Sequence, residues 1–292
     1  MAYYKNNRQS NSVAPRLKPL PFDYREGYGC FFRKAKENEK TGEVVFLDLE
    51  TTGLNISKDE VIEVGMVRAT YSKATFEILE ISKAYDGLRE PSAPLSETIV
   101  NLTGLTDEKL HGCTIDFQKI FEILKDCSLI ISHNAAFDRP FFEKLMEGHI
   151  DSKFYWGCSM EGVSWRVGHK KESCSLPKLV RSVGYEYEAH RAINDVFALL
   201  TLLIKENALR ELILNTSKGY EIISIRNADN LSYDELRKLR FMYCSSENKY
   251  YKTIHGSQLN YYLTGLNKLG IAKENLEVKQ VSGLNAFRFR MM

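Results

Sequence analysis

The chain has no long hydrophobic run. A membrane-spanning helix needs about 18 or more consecutive apolar residues, whereas the longest apolar stretch here, 196–204, is interrupted by Thr201. Residues 1–10 are polar and contain no apolar segment of the kind that a secretory signal carries. We therefore expect a cytoplasmic protein that does not associate with membranes.

Cysteine is sparse, and the cysteines are scattered along the 292 residues. They form no CxxC pair, and no cluster with histidine has the spacing of zinc ligands. This pattern argues against a zinc module and against a disulfide-stabilised secreted scaffold, so we expect free thiols in a reducing compartment. The six cysteines are Cys30, Cys113, Cys127, Cys158, Cys174 and Cys244.

The overall composition is ordinary, with 43% hydrophobic and 27% charged residues, which excludes collagen-like, mucin-like and wholly disordered classes. The net charge of +2 hides an uneven distribution. Residues 1–40 hold nine basic and four acidic residues, and residues 216–292 hold twelve and seven, so each flank has a net charge of +5. The remaining 19 basic and 27 acidic residues give 41–215 a net charge of −8.

These changes in charge and composition along the chain predict that it is divided into three parts. Residues 1–42 form a basic tail followed by a lead-in, 43–215 form the main domain, and 216–292 form a small basic accessory module that is rich in aromatic residues. A chain of this length has room for one large core or two smaller ones.

The main domain is predicted to be α/β, because apolar runs typical of strands are followed by segments with helical spacing. The run at 44–49 is almost wholly apolar, which indicates a strand buried on both faces. The other predicted elements are strands at 61–67, 76–81 and 129–131, the first two joined as a hairpin through 71–73, and helices at 117–124, 141–146 and 191–207.

The accessory module is predicted to be α+β. Its helix near residue 233 is indicated by a capping box, Ser232 to Glu235. The other predicted elements are a strand at 221–225, a hairpin of 241–243 with 250–254, a helix that begins near 259 and ends at Gly270, and a last strand at 285–292.

Acidic residues stand at the ends of predicted elements in three separate segments. Asp48 and Glu50 end the first strand, Asp138 precedes Pro140 and is expected to begin a helix, and Asp195 opens the long apolar helix. Taken singly, each of these acids is explained by a structural role, such as that of an N-cap. Together they are expected to meet at one edge of the sheet, where clustered carboxylates call for cations such as Mg²⁺. Two such ions form the clamp used in phosphodiester hydrolysis.

The three segments resemble the motifs of the DEDDh 3′–5′ exonucleases, and among these the epsilon proofreading subunit of bacterial DNA polymerase III. The motifs are FLDLETTGL at 46–54, HNAAFD at 133–138 and HRAIND at 190–195, with spacings of about 90 and 57 residues between their acids. Two weaker signals also match, LTGLT at 102–106 and WGCSM at 156–160. The histidine at position 190 excludes the sibling subclass that has tyrosine in the third motif.

The resemblance implies a ribonuclease H-like fold, with a five-stranded mixed sheet and flanking helices. It also implies metal-dependent hydrolysis of DNA from the 3′ end to 5′ mononucleotides, in proofreading or repair. Two alternatives remain open: a 3′–5′ exoribonuclease, and a non-catalytic module that binds nucleic acid or a polymerase. The intact set of five site residues argues against the second alternative.

The resemblance also assigns roles to the site residues. Asp48 would bridge two Mg²⁺ ions, for which Mn²⁺ can substitute; Glu50 and Asp195 would hold the first ion, and Asp138 the second. His190 would be the general base. Three further residues would contact the terminal nucleotide or support the site: Thr51, Leu54 and Asn134.

The expected partners follow from the flanks and from the resemblance. Basic residues mixed with aromatic residues in 216–292 suit the binding of single-stranded DNA with a free 3′ end. The alternative is that these aromatic residues form the core of the small module. A DNA polymerase or a sliding clamp is the protein partner that the resemblance suggests. The segment 258–262 loosely resembles a clamp-binding peptide, although it lies in a predicted helix.

Overall fold

The computed structural model describes residues 18–19, 30–149, 154–166, 168–226, 233–244 and 247–287. Most of the predicted basic tail and lead-in lies outside these residues. The strands are β1 (Lys18–Pro19), β2 (Cys30–Phe31), β3 (Thr41–Thr51), β4 (Val61–Ser72), β5 (Ile78–Leu88), β6 (Leu129–Ser132), β7 (Tyr155–Cys158), β8 (Tyr185–Glu186), β9 (Tyr220–Ile225), β10 (Met242–Cys244), β11 (Lys249–Ile254) and β12 (Leu276–Val281). The α-helices are α1 (Glu97–Thr103), α2 (Asp107–Leu110), α3 (Phe117–Leu124), α4 (Ala135–Leu145), α5 (Ser159–Gly162), α6 (Leu176–Ser182), α7 (Ala192–Lys205), α8 (Leu209–Lys218), α9 (Tyr233–Lys238) and α10 (Leu259–Lys268).

The main sheet is mixed and has the strand order β2-β5-β4-β3-β6-β7. Strands β3, β4 and β5 pair antiparallel, whereas β6 and β7 run parallel to β3. Five of the strands form the predicted ribonuclease H-like sheet, and the two-residue β2 adds a short edge beside β5. The predicted fold class is therefore confirmed.

Side-chain alternation along β3 supplies both faces of the sheet. Val44 and Phe46 pack into a core with helices α6 and α7. Val45 and Leu47 pack on the opposite side, in a core that contains residues of α3 and α4. All four side chains are fully buried, as the continuous apolar run predicts.

The predicted hairpin of the main domain is present, but its turn lies further along the chain. β4 continues to Ser72 and β5 begins only at Ile78. Phe76 was expected in the second strand, but it has a positive φ of 63°, which an extended strand does not allow. The turn therefore takes in 73–77 rather than 71–73.

The helix that carries Asp138 also differs from the prediction. It begins at Ala135, after Asn134 as the N-cap, so Asp138 lies within the first turn and does not begin the helix. Pro140 falls inside this helix, where it removes one backbone hydrogen bond. The proline was therefore a poor marker for the start of α4.

The second sheet is antiparallel, in the order β10-β11-β9-β12. The predicted strand at 221–225, the hairpin and both helices are present. The predicted last strand is wrong where it can be assessed, because 285–287 form a turn. The fourth strand is instead β12, and the rest of the predicted strand, 288–292, lies outside the described residues.

The chain after β12 returns to the main domain. The Arg139 guanidinium donates hydrogen bonds to the backbone carbonyls of Gly283, Leu284 and Ala286. Phe287 is buried in the core on the α4 side of the main sheet, 4.7 Å from Tyr220 between ring centroids. This return ties the two sheets together; the position of the domain boundary stays a prediction.

The aromatic residues of 216–292 divide between core and surface. Four of them are buried: Tyr220, Phe241, Tyr251 and Phe287. Tyr243 and Tyr261 are about half exposed or more, at 49% and 60%. The four buried residues therefore belong to the protein core, whereas Tyr243 and Tyr261 remain available for binding. None of the helices in the described ranges is long and apolar enough to cross a membrane.

Candidate active site

Three carboxylates converge where β3 ends and α7 begins. One oxygen from each of Asp48, Glu50 and Asp195 lies within 4.8 Å of the others. Asp48 pairs in register with Gly65 of β4, and a Cβ at that glycine would stand 2.4 Å from the backbone carbon of Ala192. Glycine is needed at this position because it lets the start of α7, and with it Asp195, approach the sheet beside Asp48.

Burial and mutual repulsion make these carboxyl groups hard to ionise. Burial raises the pKa of Asp48 well above its usual value, and the neighbouring Asp138 and Asp195 raise it further. Burial, together with Asp195 and Glu63, raises the pKa of Glu50 to about 8. Burial also raises the pKa of Asp195, against hydrogen bonds that lower it. Bound cations would relieve this repulsion.

Asp138 stands at the edge of this group. Its side chain, on the first turn of α4, is only 1% exposed. Its helix follows β6, the parallel neighbour of β3, and after burial its charge makes the largest contribution to the raised pKa of Asp48. The structure thus brings all four predicted acids to the same edge of the sheet, while their roles stay a prediction.

His190 is exposed beside Asp195 and precedes α7. Its φ of 65° is in the left-handed region, and its backbone N–H donates to Asp195 Oδ2 at 2.7 Å. The residue as a whole is exposed to solvent. In this position the imidazole can reach a water molecule or a substrate, as a general base requires.

Tyr187 is a site residue that the sequence did not reveal. Its hydroxyl donates to Asp195 Oδ1 at 2.6 Å, while the backbone of His190 occupies the other oxygen. Burial, with the nearby charge of Asp195, raises the pKa of Tyr187 far above its usual range, so the hydroxyl remains a donor. The two bonds fix the orientation of the Asp195 carboxylate.

An ion pair between β4 and the start of α7 supports the same turn. Glu63 is fully buried and accepts from the Arg191 guanidinium at 2.8 Å and from the backbone N–H of Ala192 at 3.1 Å. Arg191 and Ala192 directly follow His190, so Glu63 anchors the backbone that carries the imidazole. The position of Glu63 inside the apolar run 61–67 indicates that its carboxylate needs a partner, but not which residue that partner is.

We expect Glu63→Gln to lower both stability and activity. Breaking a buried ion pair costs about 3–5 kcal/mol, and the low end applies because Arg191 keeps 27% exposure. The melting temperature should fall by about 6–12 °C, and kcat should fall because the turn at His190 loosens. Glu43→Gln, in the Arg68–Glu43 pair between β4 and β3, whose carboxylate is 27% exposed, is the control and should leave kcat unchanged. Equal melting temperatures for Glu63→Gln and the parent protein would contradict the anchoring role.

The three predicted substrate contacts differ in exposure and in hydrogen bonding. Thr51 ends β3 and is buried, with its hydroxyl donating to the carbonyl of Gly53 at 2.5 Å. Leu54 is 77% exposed, which is unusual for so apolar a side chain and suits contact with a base. Asn134 is the N-cap of α4 but makes no capping bond through its side chain, so its amide can serve another purpose. No observation tests these three roles.

The donor set fits divalent magnesium or manganese. Asp48, Glu50 and Asp195 offer only carboxylate oxygens, the ligands that Mg²⁺ and Mn²⁺ prefer. Their raised pKa values show that the protein alone does not compensate the buried negative charge. These residues, with Asp138 beside them, would hold the metal.

The fold and the acidic cluster define a nuclease-like α/β domain, and comparison with known families agrees. The RNase_T family model, described as Exonuclease, matches residues 45–203. The chain belongs to this exonuclease family, and the resemblance to the DEDDh proofreading exonucleases is thereby confirmed.

Sequence relatives include PolC-type DNA polymerase III proteins. That of Lacticaseibacillus paracasei is 33% identical over 111 residues, which cover 37% of this chain and 7% of the relative. That of Staphylococcus epidermidis is 29% identical over 193 residues, which cover 62% of this chain and 12% of the relative. The chain therefore spans only about a tenth of the length of these polymerases.

Solved structures of similar fold include two nucleases. The nuclease domain of 3′hExo, a DEDDh family member bound to rAMP, has 15% identity and a TM-score of 0.43 over 59% of this chain and 93% of that one. Escherichia coli Exonuclease I in complex with a dA16 oligonucleotide has 14% identity and a TM-score of 0.48 over 80% of this chain and 69% of that one. The family assignment rests on the family model and the sequence relatives.

Proposed function

We propose that the protein is a metal-dependent 3′–5′ exonuclease that removes 5′ mononucleotides from DNA, in proofreading or repair. The convergence of three carboxylates beside an exposed histidine is the observation that carries this proposal. Mg²⁺ or Mn²⁺ held by these acids would supply positive charge to activate water and to stabilise the leaving oxygen. The membership in the exonuclease family supports the reaction class.

In this proposal the protein residues have distinct tasks. His190 accepts a proton from the attacking water, and its backbone N–H holds Asp195 in place. Tyr187 holds the other oxygen of Asp195. Leu54, exposed at the rim, contacts the terminal base, and Thr51 and Asn134 complete the pocket for that nucleotide.

The basic flanks are proposed to hold the DNA strand. The acidic body, with a net charge of −8, is poorly suited to binding a polyanion, whereas 216–292 carries +5. The relatives named above are DNA polymerases, so a polymerase is the protein partner we propose.

A substrate panel tests the proposal. Labelled single-stranded DNA, duplex DNA with a mismatched 3′ end, and RNA of the same sequence would be incubated with Mg²⁺ and with EDTA. We expect hydrolysis of both DNA substrates in Mg²⁺ only, at higher rates than RNA. Faster hydrolysis of RNA would favour the exoribonuclease, and binding without hydrolysis of any substrate would favour the non-catalytic module.

The effect of Mg²⁺ on stability should grow with pH. Glu50 has a pKa near 8 in the folded metal-free protein, against an ordinary value of 4.5. Between pH 4.5 and pH 8, Glu50 is deprotonated in the unfolded chain but keeps its proton in the folded protein. The free energy of unfolding of the metal-free protein therefore falls as the pH rises, by up to about 1.4 kcal/mol per pH unit. Mg²⁺ competes with the same protons and therefore binds more strongly at high pH.

Thermal unfolding at pH 6 and pH 8, with EDTA or Mg²⁺, measures this effect. We expect Mg²⁺ to raise the melting temperature more at pH 8 than at pH 6, and we expect Glu50→Gln to reduce the difference. An equal effect of Mg²⁺ at both pH values would contradict the coupling between metal and protons.

A further inference from the structure

A cavity lies between the main domain and the accessory module. Its volume is about 380 Å³, and its walls come from residues 160–174, after β7, and from the segments around α9 and the start of α10. Ligand cavities in proteins begin at roughly 300 Å³, so there is room for one nucleobase with part of its sugar and phosphate. No residue of the candidate active site lines it.

Aromatic side chains form part of the wall. Tyr261 and Tyr262 lie on the first turn of α10, with ring centroids 5.2 Å apart in a T-shaped arrangement. Tyr261 is 60% exposed, whereas Trp165, which also lines the cavity, is buried. An exposed aromatic ring in an apolar wall suits the stacking of a base, which is how proteins hold single strands without reading their sequence.

The charge of the cavity is positive. Arg166, Lys238 and Arg240 line it, and within the described ranges neither Lys238 nor Arg240 pairs with a carboxylate. Glu161 is the acid that lines the cavity, and it is bound to the buried Lys252 at 2.8 Å. The two exposed cations are therefore available to a phosphate group.

One polar atom in the wall lacks a partner. Gln258 Oε1 is buried and accepts no hydrogen bond from the described residues, although Gln258 lines the cavity at the start of α10. A buried carbonyl without a partner is costly. The exocyclic amino group of a nucleobase is a donor that would satisfy it once the Gln258 side chain turns towards the cavity.

The wall segment that leaves β7 starts at the same end of the sheet as the carboxylates. Strands β3, β6 and β7 are parallel neighbours, and β7 ends at Cys158, one residue past the level of Phe46, so this segment starts about 10 Å across the sheet from Asp48. His133, which directly precedes Asn134, connects the candidate active site with the cavity wall. Its Nε2–H donates to the carbonyl of Cys174 at 2.8 Å, and its Nδ1 accepts from the Ser159 hydroxyl at 2.7 Å. Cys174 lines the cavity.

We infer that this cavity is a second nucleotide site, which binds one nucleotide of the single-stranded substrate on the 5′ side of the bond that is cut. Tyr261 stacks on the base, Gln258 accepts from the base, and Lys238 and Arg240 hold the phosphate groups. The inference rests on the proposed function, since it assumes that the strand ends at the carboxylates. It gives the basic accessory module a defined contact with DNA.

The test uses a double variant, Tyr261→Ala with Lys238→Gln, and a matched control, Tyr243→Ala with Lys279→Gln. The control removes an exposed tyrosine and an exposed lysine of the same module that do not line the cavity. Affinity for oligothymidylates of 2–12 nucleotides is measured by fluorescence anisotropy in EDTA. Activity is measured in Mg²⁺ on an aryl ester of thymidine 5′-phosphate, which carries only the terminal nucleotide.

The cavity variant should bind the longer oligonucleotides at least about fivefold more weakly, from the lost base stacking alone. It should bind the shortest ones like the parent, and hydrolyse the ester at the parental rate. Unchanged affinity for long oligonucleotides, an equal loss in the control, or an equal loss for the shortest oligonucleotide would overturn the second site. Failure of the parent protein to hydrolyse ester or DNA would count against the proposed function instead, and the anisotropy result would still decide the site.

Discussion

Replacing Asp195 with alanine is expected to abolish hydrolysis without unfolding the protein. The substitution removes one of the three carboxylates that lie within 4.8 Å of each other. We expect kcat to fall by at least about a thousandfold, which corresponds to roughly 4 kcal/mol of lost transition-state stabilisation. Steady-state kinetics on single-stranded DNA in saturating Mg²⁺ measures the loss.

Stability separates this effect from misfolding. Asp195→Ala removes a carboxyl group whose burial is unfavourable, but also two hydrogen bonds, from Tyr187 and from the backbone of His190. The metal-free melting temperature should therefore change little, and Asp195→Asn, which keeps an acceptor, should behave in the same way. Glu188→Gln, an exposed acid of the preceding loop, is the control and should retain activity. Mg²⁺-dependent hydrolysis by Asp195→Ala would contradict the assignment of these carboxylates as the active site.

His190→Ala is expected to slow hydrolysis while leaving metal binding intact. A general base contributes about 10²- to 10⁴-fold to the rate, so kcat should fall by that factor. The set of three carboxylates that would hold the metal does not include the His190 imidazole. The substitution also keeps the backbone N–H of residue 190, which donates to Asp195. The rise in melting temperature on adding Mg²⁺ should therefore match that of the parent protein.

Two further variants complete this experiment. His190→Asn tolerates the left-handed backbone at φ 65°, so its activity loss cannot come from backbone strain. His111→Ala changes an exposed histidine outside the site, 82% exposed at its side chain, and should keep full activity. If His190→Ala retains the parental kcat, the base is another group.

Four strands of the main sheet and the acids could be predicted from the sequence, because their signals are local, whereas β7 was not predicted as a strand. The apolar run at 44–49 predicts β3 whatever surrounds it, and Asp48 and Glu50 follow from the strand alternation. The last strand of the accessory module was predicted in the wrong place. The solvent-facing side chains of β12 hide a strand at the edge of its sheet, and the segment predicted as the last strand contains a turn whose Phe287 is buried against Tyr220.

The supporting residues of the site could not be found from local patterns. Glu63 and Arg191 are 128 residues apart, and nothing in either segment indicates that the other packs against it. The same holds for Gly65, whose missing side chain makes room for the start of α7. Contacts between distant segments depend on the packing of the whole sheet and α7.

The direction and metal dependence of hydrolysis test the central proposal most directly. Single-stranded DNA labelled at its 5′ end is incubated with the protein in Mg²⁺ and in EDTA, and the products are resolved by length. The proposal predicts a ladder of labelled strands that shorten one nucleotide at a time in Mg²⁺, and no products in EDTA. Immediate release of a labelled mononucleotide, or hydrolysis that persists in EDTA, would contradict it.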